Sequence, residues 1–504
     1  MEVLLIQAKQ KKNDRFLVHP PYGLLYLASI LRQAGHTVFI YDTNINADKS
    51  AEGWRQDIKK IIESKKSDVV GVGGMTSSFV CAKKIGDDIR KDFPGLHLIL
   101  GGIVVSVLPE LVMKNTVYDV GCIGEAESVI VDICEKLHKK QSLDSIPGLL
   151  LRSKDGSVYS TDFGVIKNGR RDRGTCHLDE IPLPSYDLID LPEYLKHQSF
   201  CGDLFSAYLK RRGLAPKDYS HIIPYGMPVF AGRGCPFQCV FCYSTMHKKP
   251  VKHSVKYVMD HFKLLNDNYG INHFQLMDEN VNIDIKWLKD LCRALIEQGS
   301  PYFITPGNRN RNSFFDREML ELMRDANFYD VGVGVESLDD RVLKVMNRKS
   351  TVKQLVADLK LIKEYGIDQQ HIRCLFGFSC DSWSTIFNSI RVGNRLGYLT
   401  LHAVVMPLPG TRLYYDCCKN GLIENEYDYM QEIYDEDGYR NMTKYSSIDK
   451  VKDVVIFANL FSELDHSVRT MCAGGFFYAL IRMSRFLAKR LFLKILSLFG
   501  KKRG

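Results

Sequence analysis

No stretch of this chain approaches the roughly 20 consecutive apolar residues that a membrane-spanning helix needs, which excludes a helical membrane protein. Its start, Met1-Glu-Val-Leu-Leu-Ile-Gln7, has neither a basic opening nor a long apolar run. It is expected to be a buried first strand and not a signal peptide. The 14 cysteines lack a disulfide-like framework, which points to a reducing, cytoplasmic compartment. Internal repeats and low-complexity tracts are missing, and no GxGxxG follows the first strand, so neither a solenoid nor a dinucleotide site is expected. Acids are missing from one place in particular. Residues 471–504 hold four Lys and four Arg and no Asp or Glu, a charge of +8, while the other 470 residues sum to only +1 of the total +9. A nucleic-acid enzyme spreads its basic charge over the folded body, so no nucleic-acid partner is expected. The remainder is ordinary: 45% hydrophobic and 25% charged over 504 residues, enough for two to four domains with ample core.

What is present is a short loop with three thiols, Cys235-Pro-Phe-Gln-Cys239-Val-Phe-Cys242. Three thiolates hold three corners of a [4Fe–4S] cluster and leave one iron open, unlike the four-thiolate set of an electron-transfer cluster. The alternative is zinc, which prefers paired CxxC spacings and here needs His247 as a fourth ligand.

Residues 1–140 alternate strand and helix patterns. Val3–Ile6, Val38–Tyr41, Val69–Val72 and Leu98–Leu100 read as strands, with helical stretches such as Leu24–Gln33 between them. That alternation predicts a parallel sheet with crossover helices, and such sheets bind ligands at the carboxyl ends of their strands. Glycine-rich loops stand at those ends: Gly71 to Ser78, Gly101-Gly102 and Gly121 to Glu125. From about Pro228 a second run of strand, loop and helix begins, and each apolar strand ends on polar residues. Phe274–Met277 ends on Asp278-Glu279-Asn280, Val331–Val335 on Glu336-Ser337, and Ala403–Met406 on Pro407 to Thr411. Ile372–Gly377 carries Arg373, and Arg309-Asn-Arg311 follows the third strand. In an α/β barrel that edge is where chemistry is assembled.

The cysteine loop, with Phe241 before its last cysteine, resembles the signature of the radical S-adenosylmethionine enzymes. The stretch from Pro20 to Val38, the Gly124-Glu-Ala-Glu127 loop and the linker-like Leu178 to Asp187 resemble the cobalamin-binding branch of that superfamily. Gly334-Val-Glu-Ser337 and Met406 to Tyr414 match further elements of its barrel. Three departures stand out. No DxHxxG supplies a histidine for cobalt, the fourth-strand loop Gly101-Gly-Ile-Val-Val105 lacks the branch's histidine, and Gly377-Phe-Ser-Cys-Asp-Ser382 replaces a GlPgET segment.

The resemblance implies an α/β chain with four parts. A Rossmann-like cobalamin-binding domain spans 1–140, a linker 141–225, a partial (β/α)6 barrel 226–425 and a helical region with a basic tail 426–504. It implies a cluster on Cys235, Cys239 and Cys242, and S-adenosylmethionine held by Phe241, Asp278, Glu279, Glu336, Ser337 and Arg373. Cobalamin contacts are expected from Tyr22, Gly23, Thr76, Ser77, Gly101, Gly102, Gly124 and Glu125. Asp278 and Glu279 are the expected acids of catalysis, with a helix N-cap as their other reading. An ion pair is the other reading of Arg373. Cys380 is a thiol at the rim, read as a redox group or an ordinary loop cysteine, and Asp381 is read in place of the missing glutamate.

The implied reaction is methylation of an unactivated carbon. A 5′-deoxyadenosyl radical abstracts a hydrogen from a small-molecule or lipid-like substrate, and methylcobalamin gives up its methyl group. A flavodoxin or ferredoxin type donor supplies the electron. Cyclisation or rearrangement is the alternative enzyme reading, and a non-catalytic iron–sulfur protein the alternative of another class.

The tail adds a partner. Between Phe476 and Phe499, Arg482, Arg485, Lys489, Arg490 and Lys494 fall largely on one half of a helix, opposite Leu480, Leu487, Leu491, Ile495 and Leu498. That is the pattern of an interfacial helix on anionic lipid, with a helix docked on the barrel as the other reading. It predicts a cytoplasmic protein peripheral at the inner face of the membrane.

Overall fold

The computed structural model describes residues 1–10, 19–161, 177–196, 226–243, 249–308, 310–311, 315–367, 371–435 and 437–472, with the backbone of two short strands at Ile166–Lys167 and Arg170–Arg171. His247, Arg309 and the basic tail from residue 473 lie outside the described residues.

The amino-terminal half is a seven-stranded sheet: β1 (Glu2–Gln7), β2 (Thr37–Asp42), β3 (Val69–Gly74), β4 (His97–Gly102), β5 (Val120–Cys122), β6 (Leu149–Arg152) and β7 (Val158–Ser160). Their order is β2-β1-β3-β4-β5-β6-β7. The first five are parallel and nearly all apolar, because helices cover both faces. Those helices are α1 (Tyr22–Gln33), α2 (Ala51–Lys65), α3 (Phe79–Asp92), the short α4 (Ile103–Val107) and α5 (Pro109–Lys114), and α6 (Ile130–His138). Connections reverse between β1 and β3, the switch point at which doubly wound sheets bind ligands. The sheet does not stop at residue 140. β6 and β7 add antiparallel strands: β6 returns against β5 after α6, and a short turn joins β7 to β6.

After the two short strands (β8 and β9), a strap of 3-10 turns and α7 (Leu191–Lys196) runs between the halves. Its Tyr186 hydroxyl meets His261 Nε2 at 2.8 Å, and its Tyr194 donates to Asp42 at 2.9 Å.

The barrel half begins with β10 (Met227–Val229) and the ribbon of β11 (Gly232–Arg233) and β12 (Val251–Lys252). It continues through α8 (Val255–Tyr269), β13 (His273–Leu276), α9 (Ile285–Glu297), β14 (Phe303–Pro306), α10 (Arg317–Asp325), α11 (Asp340–Val345), α12 (Val352–Glu364), β15 (His371–Phe376), α13 (Trp383–Arg395) and β16 (Leu399–Val404). β10, β13 and β14 pair in parallel, as do β15 and β16. Val331 to Glu336 joins the two groups through single bridges Asn310↔Val333 and Glu336↔Cys374. The six staves form a partial (β/α)6 barrel. Serine, threonine and aspartate begin its helices: Ser254, Asp284, Asp316 and Thr351 each accept a backbone N–H of the first turn. Asp284 therefore caps α9, and the capping role considered for Asp278-Glu279 is taken.

Three further helices follow among the described residues: α14 (Arg412–Lys419), α15 (Glu426–Tyr434) and α16 (Ile448–Cys472). α15 returns to the first half, where Tyr427 meets Phe79 edge-on at 5.7 Å and Met430 enters its core. α16 lies along β16, and Asn459 exchanges hydrogen bonds with both backbone groups of His402, at 2.7 and 2.8 Å. The halves share a core as well: Tyr22, Leu25 and Tyr26 of α1 belong to the main barrel cluster. No helix among the described residues is long and apolar enough to cross a membrane.

Candidate active site

The cysteine loop follows β11 at the carboxyl edge of the barrel. Cys235 and Cys239 are half-buried. Cys242 is exposed as a residue, yet the space around its sulfur is dense with protein. Its thiol is pushed up to about 12, by burial first and then by Cys239, Cys235, Glu279 and Glu336. Both acids therefore face the loop. Among the described residues no three His, Cys, Asp or Glu side chains converge on a single-ion site. A cubane needs no such convergence, because each thiolate goes to its own iron. The charge around the loop also fits an anionic cluster: Arg311 and Arg348 each bring a guanidinium N–H to the Cys239 sulfur, at 3.8 and 3.7 Å.

The polar strand ends divide into two kinds. Asp278 is engaged inside the wall: one oxygen accepts the Ala231 N–H at 2.7 Å, the other the Lys252 ammonium at 2.6 Å. Glu279 stands beside it, half-buried and facing the thiols. Glu336 holds a left-handed backbone, φ 61°, which costs a non-glycine residue about 1–3 kcal/mol and persists only where its surroundings impose it. The imposing partner is β15, since the Leu375 N–H donates to the Glu336 carbonyl at 2.8 Å. Ser337 is buried and accepts the Asp339 N–H at 3.2 Å. Arg373 is exposed on the face of β15 opposite Ile372 and Cys374, its Nε 3.4 Å from His371. Phe241 packs edge-on against Phe378 at 6.1 Å.

Cys380 lies at the margin of the same apolar cluster, its thiol raised to about 11 by burial and then by Asp381. The Arg341 guanidinium draws it down only in part. Asp381 accepts the Gly377 and Phe378 N–H groups at 2.8 and 3.0 Å and Thr385 at 2.9 Å, which pins the turn between β15 and α13.

In the first half, Gly101, Gly102, Gly124, Thr76 and Ser77 stand at the carboxyl ends of β3, β4 and β5. A Cβ on Gly101 or Gly124 meets nothing within 4 Å, so this edge offers open space bounded by backbone, as a large planar corrin requires. Gly102, at φ 85°, lies so close to β3 that a Cβ stands 2.8 Å from the Gly74 carbonyl. Gly23 also opens onto free space, whereas Tyr22 is buried against the barrel, its hydroxyl 3.5 Å from the Met227 sulfur. Glu125 and Glu127 converge on Arg233 at 3.0 and 2.7 Å, all three side chains under one-fifth exposed. This arginine stands two residues before Cys235, so the loop after β5 is tied to the cluster strand. The two edges meet again at Gly410, φ 85°, where a Cβ stands 2.7 Å from the Tyr243 ring and 3.0 Å from Val107.

Lys252, Arg233, Asn308 and Arg348 were not expected here, whereas Asn310 belongs to the Arg309-Asn-Arg311 loop already singled out as a contact candidate. Asn310 is fully buried and takes the Val281 N–H at 3.0 Å while donating to the Val331 carbonyl at 2.8 Å. Asn308 donates to the carbonyls of Met277 and Asp278 at 2.8 and 3.0 Å. Only the distance between their partners in sequence hid them.

Family models match the two halves separately: a B12 binding domain over residues 14–133 and the Radical SAM superfamily over 229–383. An uncharacterized methyltransferase of Pyrococcus horikoshii is 26% identical across 91% of this chain and 89% of its own length. Cytidylyl-2-hydroxyethylphosphonate methyltransferase of Streptomyces wedmorensis is 24% identical across 81% and 79%. The radical S-adenosylmethionine methyltransferase TsrM of Kitasatospora setae, solved with cobalamin and a [4Fe–4S] cluster, shares the fold at TM-score 0.64 and 17% identity, over 83% of this chain and 75% of that one. With the B12 binding and Radical SAM models matched in that order onto the glycine edge and the three-cysteine barrel edge, the chain is a member of the cobalamin-binding radical S-adenosylmethionine enzymes.

Proposed function

We propose that the protein methylates an unactivated carbon of a small-molecule or lipid-like substrate. The observation that carries this reading is the meeting of the two carboxyl edges at Gly410, Val107 and Tyr243, and at Arg233 with Glu125 and Glu127. Group transfer between two cofactors needs both held against one gap. When bound, the cluster supplies an electron for cleaving S-adenosylmethionine, and cobalamin supplies a methyl group.

The protein's own part is binding and orientation. Cys235, Cys239 and Cys242 would hold the cluster, which with three thiolates would keep a place for S-adenosylmethionine. Glu279 accepts from its ammonium, since Asp278 is occupied by Lys252 and Ala231. Glu336 and Ser337 take the ribose or methionine end, and Arg373 pairs with the carboxylate. Gly101, Gly102, Gly124, Thr76 and Ser77 line the corrin edge, where Gly23 also leaves space. Tyr243 and Val107 close the gap against water.

The test is a product ratio. Reconstituted full-length protein given a one-electron donor of flavodoxin or ferredoxin type should form both 5′-deoxyadenosine and S-adenosylhomocysteine. 5′-Deoxyadenosine alone, with cobalamin bound, supports cyclisation or rearrangement instead. Replacing Cys235, Cys239 and Cys242 with Ala should remove the iron and both products.

Its place of work is read from the carboxyl end. α16 exposes Ile456, Phe457, Phe461, Leu464 and Val468, and Trp383 of α13 meets Phe457 edge-on at 5.7 Å. This apolar stripe leads directly into 32 residues with eight bases and no acid. Apolar contact followed by cationic charge favours an anionic lipid surface, at about 1 kcal/mol for each base near it. Full-length protein should sediment with anionic vesicles and be released by high salt, and protein ending at Cys472 should not sediment. Equal behaviour of the two rejects the tail as an anchor.

A further inference from the structure

Two arginines on the barrel edge have no acid to answer them. Arg311 and Arg348 are buried, and neither forms an ion pair with a carboxylate among the described residues. They lie side by side: Arg311 Nη2 donates to the Arg348 carbonyl at 2.6 Å, and Arg348 Nη2 donates to the carbonyl of Gly334. The Arg311 guanidinium is stacked on the Phe237 ring at 3.7 Å, inside the cysteine loop itself. The Nε of Arg348 is buried with no hydrogen-bond partner. Two adjacent cations, desolvated and without a counter-ion, are costly to bury. Among the described residues, what remains in reach of both is the sulfur of Cys239, at 3.8 and 3.7 Å.

We propose that Arg311 and Arg348 form a cationic clamp on Cys239 that raises the reduction potential of the cluster and so eases its reduction by the external donor. This rests on the cluster assignment above. Three thiolates around a core of two positive charges leave the cluster singly negative, and one added electron makes it doubly negative. Fixed positive charge and N–H···S contacts stabilise the more negative state, which is how proteins set the potentials of such clusters. In the step concerned, the reduced flavodoxin or ferredoxin type donor loses one electron and the cluster gains it, with no proton transferred. The low dielectric around the pair keeps the effect from being screened. Both clamp residues sit on different loops from the cysteines, so the potential is set by the closed barrel edge and not by the cysteine loop alone.

The experiment is an EPR-monitored redox titration of the reconstituted full-length protein without substrate. Arg311→Gln and Arg348→Gln should each lower the ratio of reduced to oxidised cluster at a fixed potential at least tenfold, which is about 59 mV for one electron. The double variant should go further. Arg311→Lys and Arg348→Lys keep the charge and should recover most of the loss. Where a glutamine variant fails to hold four irons, the lysine variants decide: they must titrate closer to wild type than an alanine at the same site. A glutamine variant with full iron and an unchanged midpoint overturns the clamp, as does a lysine variant that falls as far as glutamine. Wild-type protein that takes up no iron overturns the cluster assignment beneath it, a separate result from a loaded cluster whose midpoint ignores both arginines.

Discussion

The two ligand-facing edges of this molecule are made from different materials. In the first half the edge is backbone and small side chains, with glycines at the ends of β4 and β5 and hydroxyls after β3. In the barrel it is side chains with charge: three thiols, Glu279, Glu336, and the cations of Arg311, Arg348 and Lys252. The difference follows from what each must hold. A broad, flat corrin is selected by shape, so the sheet clears space for it. A small anionic cluster and a zwitterionic nucleoside are selected by charge, so the barrel provides fixed ions. The lesson is that bulk should damage one edge and charge removal the other.

Acid should separate the two halves most strongly. His253, His261 and His402, all in the barrel half, are held neutral by burial, at about 4, 3 and 3 against an ordinary 6.5. The unfolded chain therefore takes up protons first, and the barrel loses stability as pH falls below 6.5. Three such groups lose up to about 4 kcal/mol per pH unit in that window. In the first half, Asp42 is raised from 3.8 to about 6 by burial, so there the folded form takes the proton first and gains stability between pH 6 and 4. The lowered imidazole of His36 opposes it in part. Fluorescence of Trp287 should thus change at higher pH than that of Trp54, read in variants that lack Trp383 and retain one of the other two. Coincident transitions break the comparison.

Arg233→Ala should cost about 3–5 kcal/mol in denaturant unfolding, since it leaves Glu125 and Glu127 buried together. Converting both acids to Gln in the same chain should recover most of it. Gly102→Ala should cost about 1–3 kcal/mol, from its φ of 85° and the clash with the Gly74 carbonyl. Gly101→Ala should leave stability unchanged but weaken cobalamin uptake, because its Cβ enters open space. Loss of stability there, with cobalamin retained, contradicts the reading of that edge as a shaped cradle. Lys286→Ala, which removes an exposed pair with Asp290 at 2.7 Å, should change stability by less than about 0.5 kcal/mol.

Local pattern carried the reading wherever chemistry is written in adjacent residues. The cysteine spacing, the alternation of strand and helix, and the polar ends of the strands at Phe274–Met277 and Val331–Val335 could be read because each is complete within about ten residues. The strand at Ala403–Met406 shifted to Leu399–Val404, since β15 sets its register and the sequence cannot. Asp278 was legible as an acid at a strand end but not as the partner of Lys252, 26 residues earlier. Likewise Glu125 could be placed on a glycine loop while its partner Arg233 lies in the other half. Long-range ion pairs leave no periodic trace, so a ligand-binding polar residue and a structural one read alike until the chain closes.

The pairing of Asn459 with His402 has a consequence beyond the active edge. One side-chain amide stands where another strand's backbone would stand, and it occupies the N–H and C=O of His402 on β16. Remove α16 and those groups become a template for a neighbouring molecule's strand. Protein shortened ahead of Ile448 is therefore expected to associate edge to edge and precipitate, while protein ending after Cys472 stays dispersed. α16 acts as a chaperone for the barrel's open side, built into the same chain.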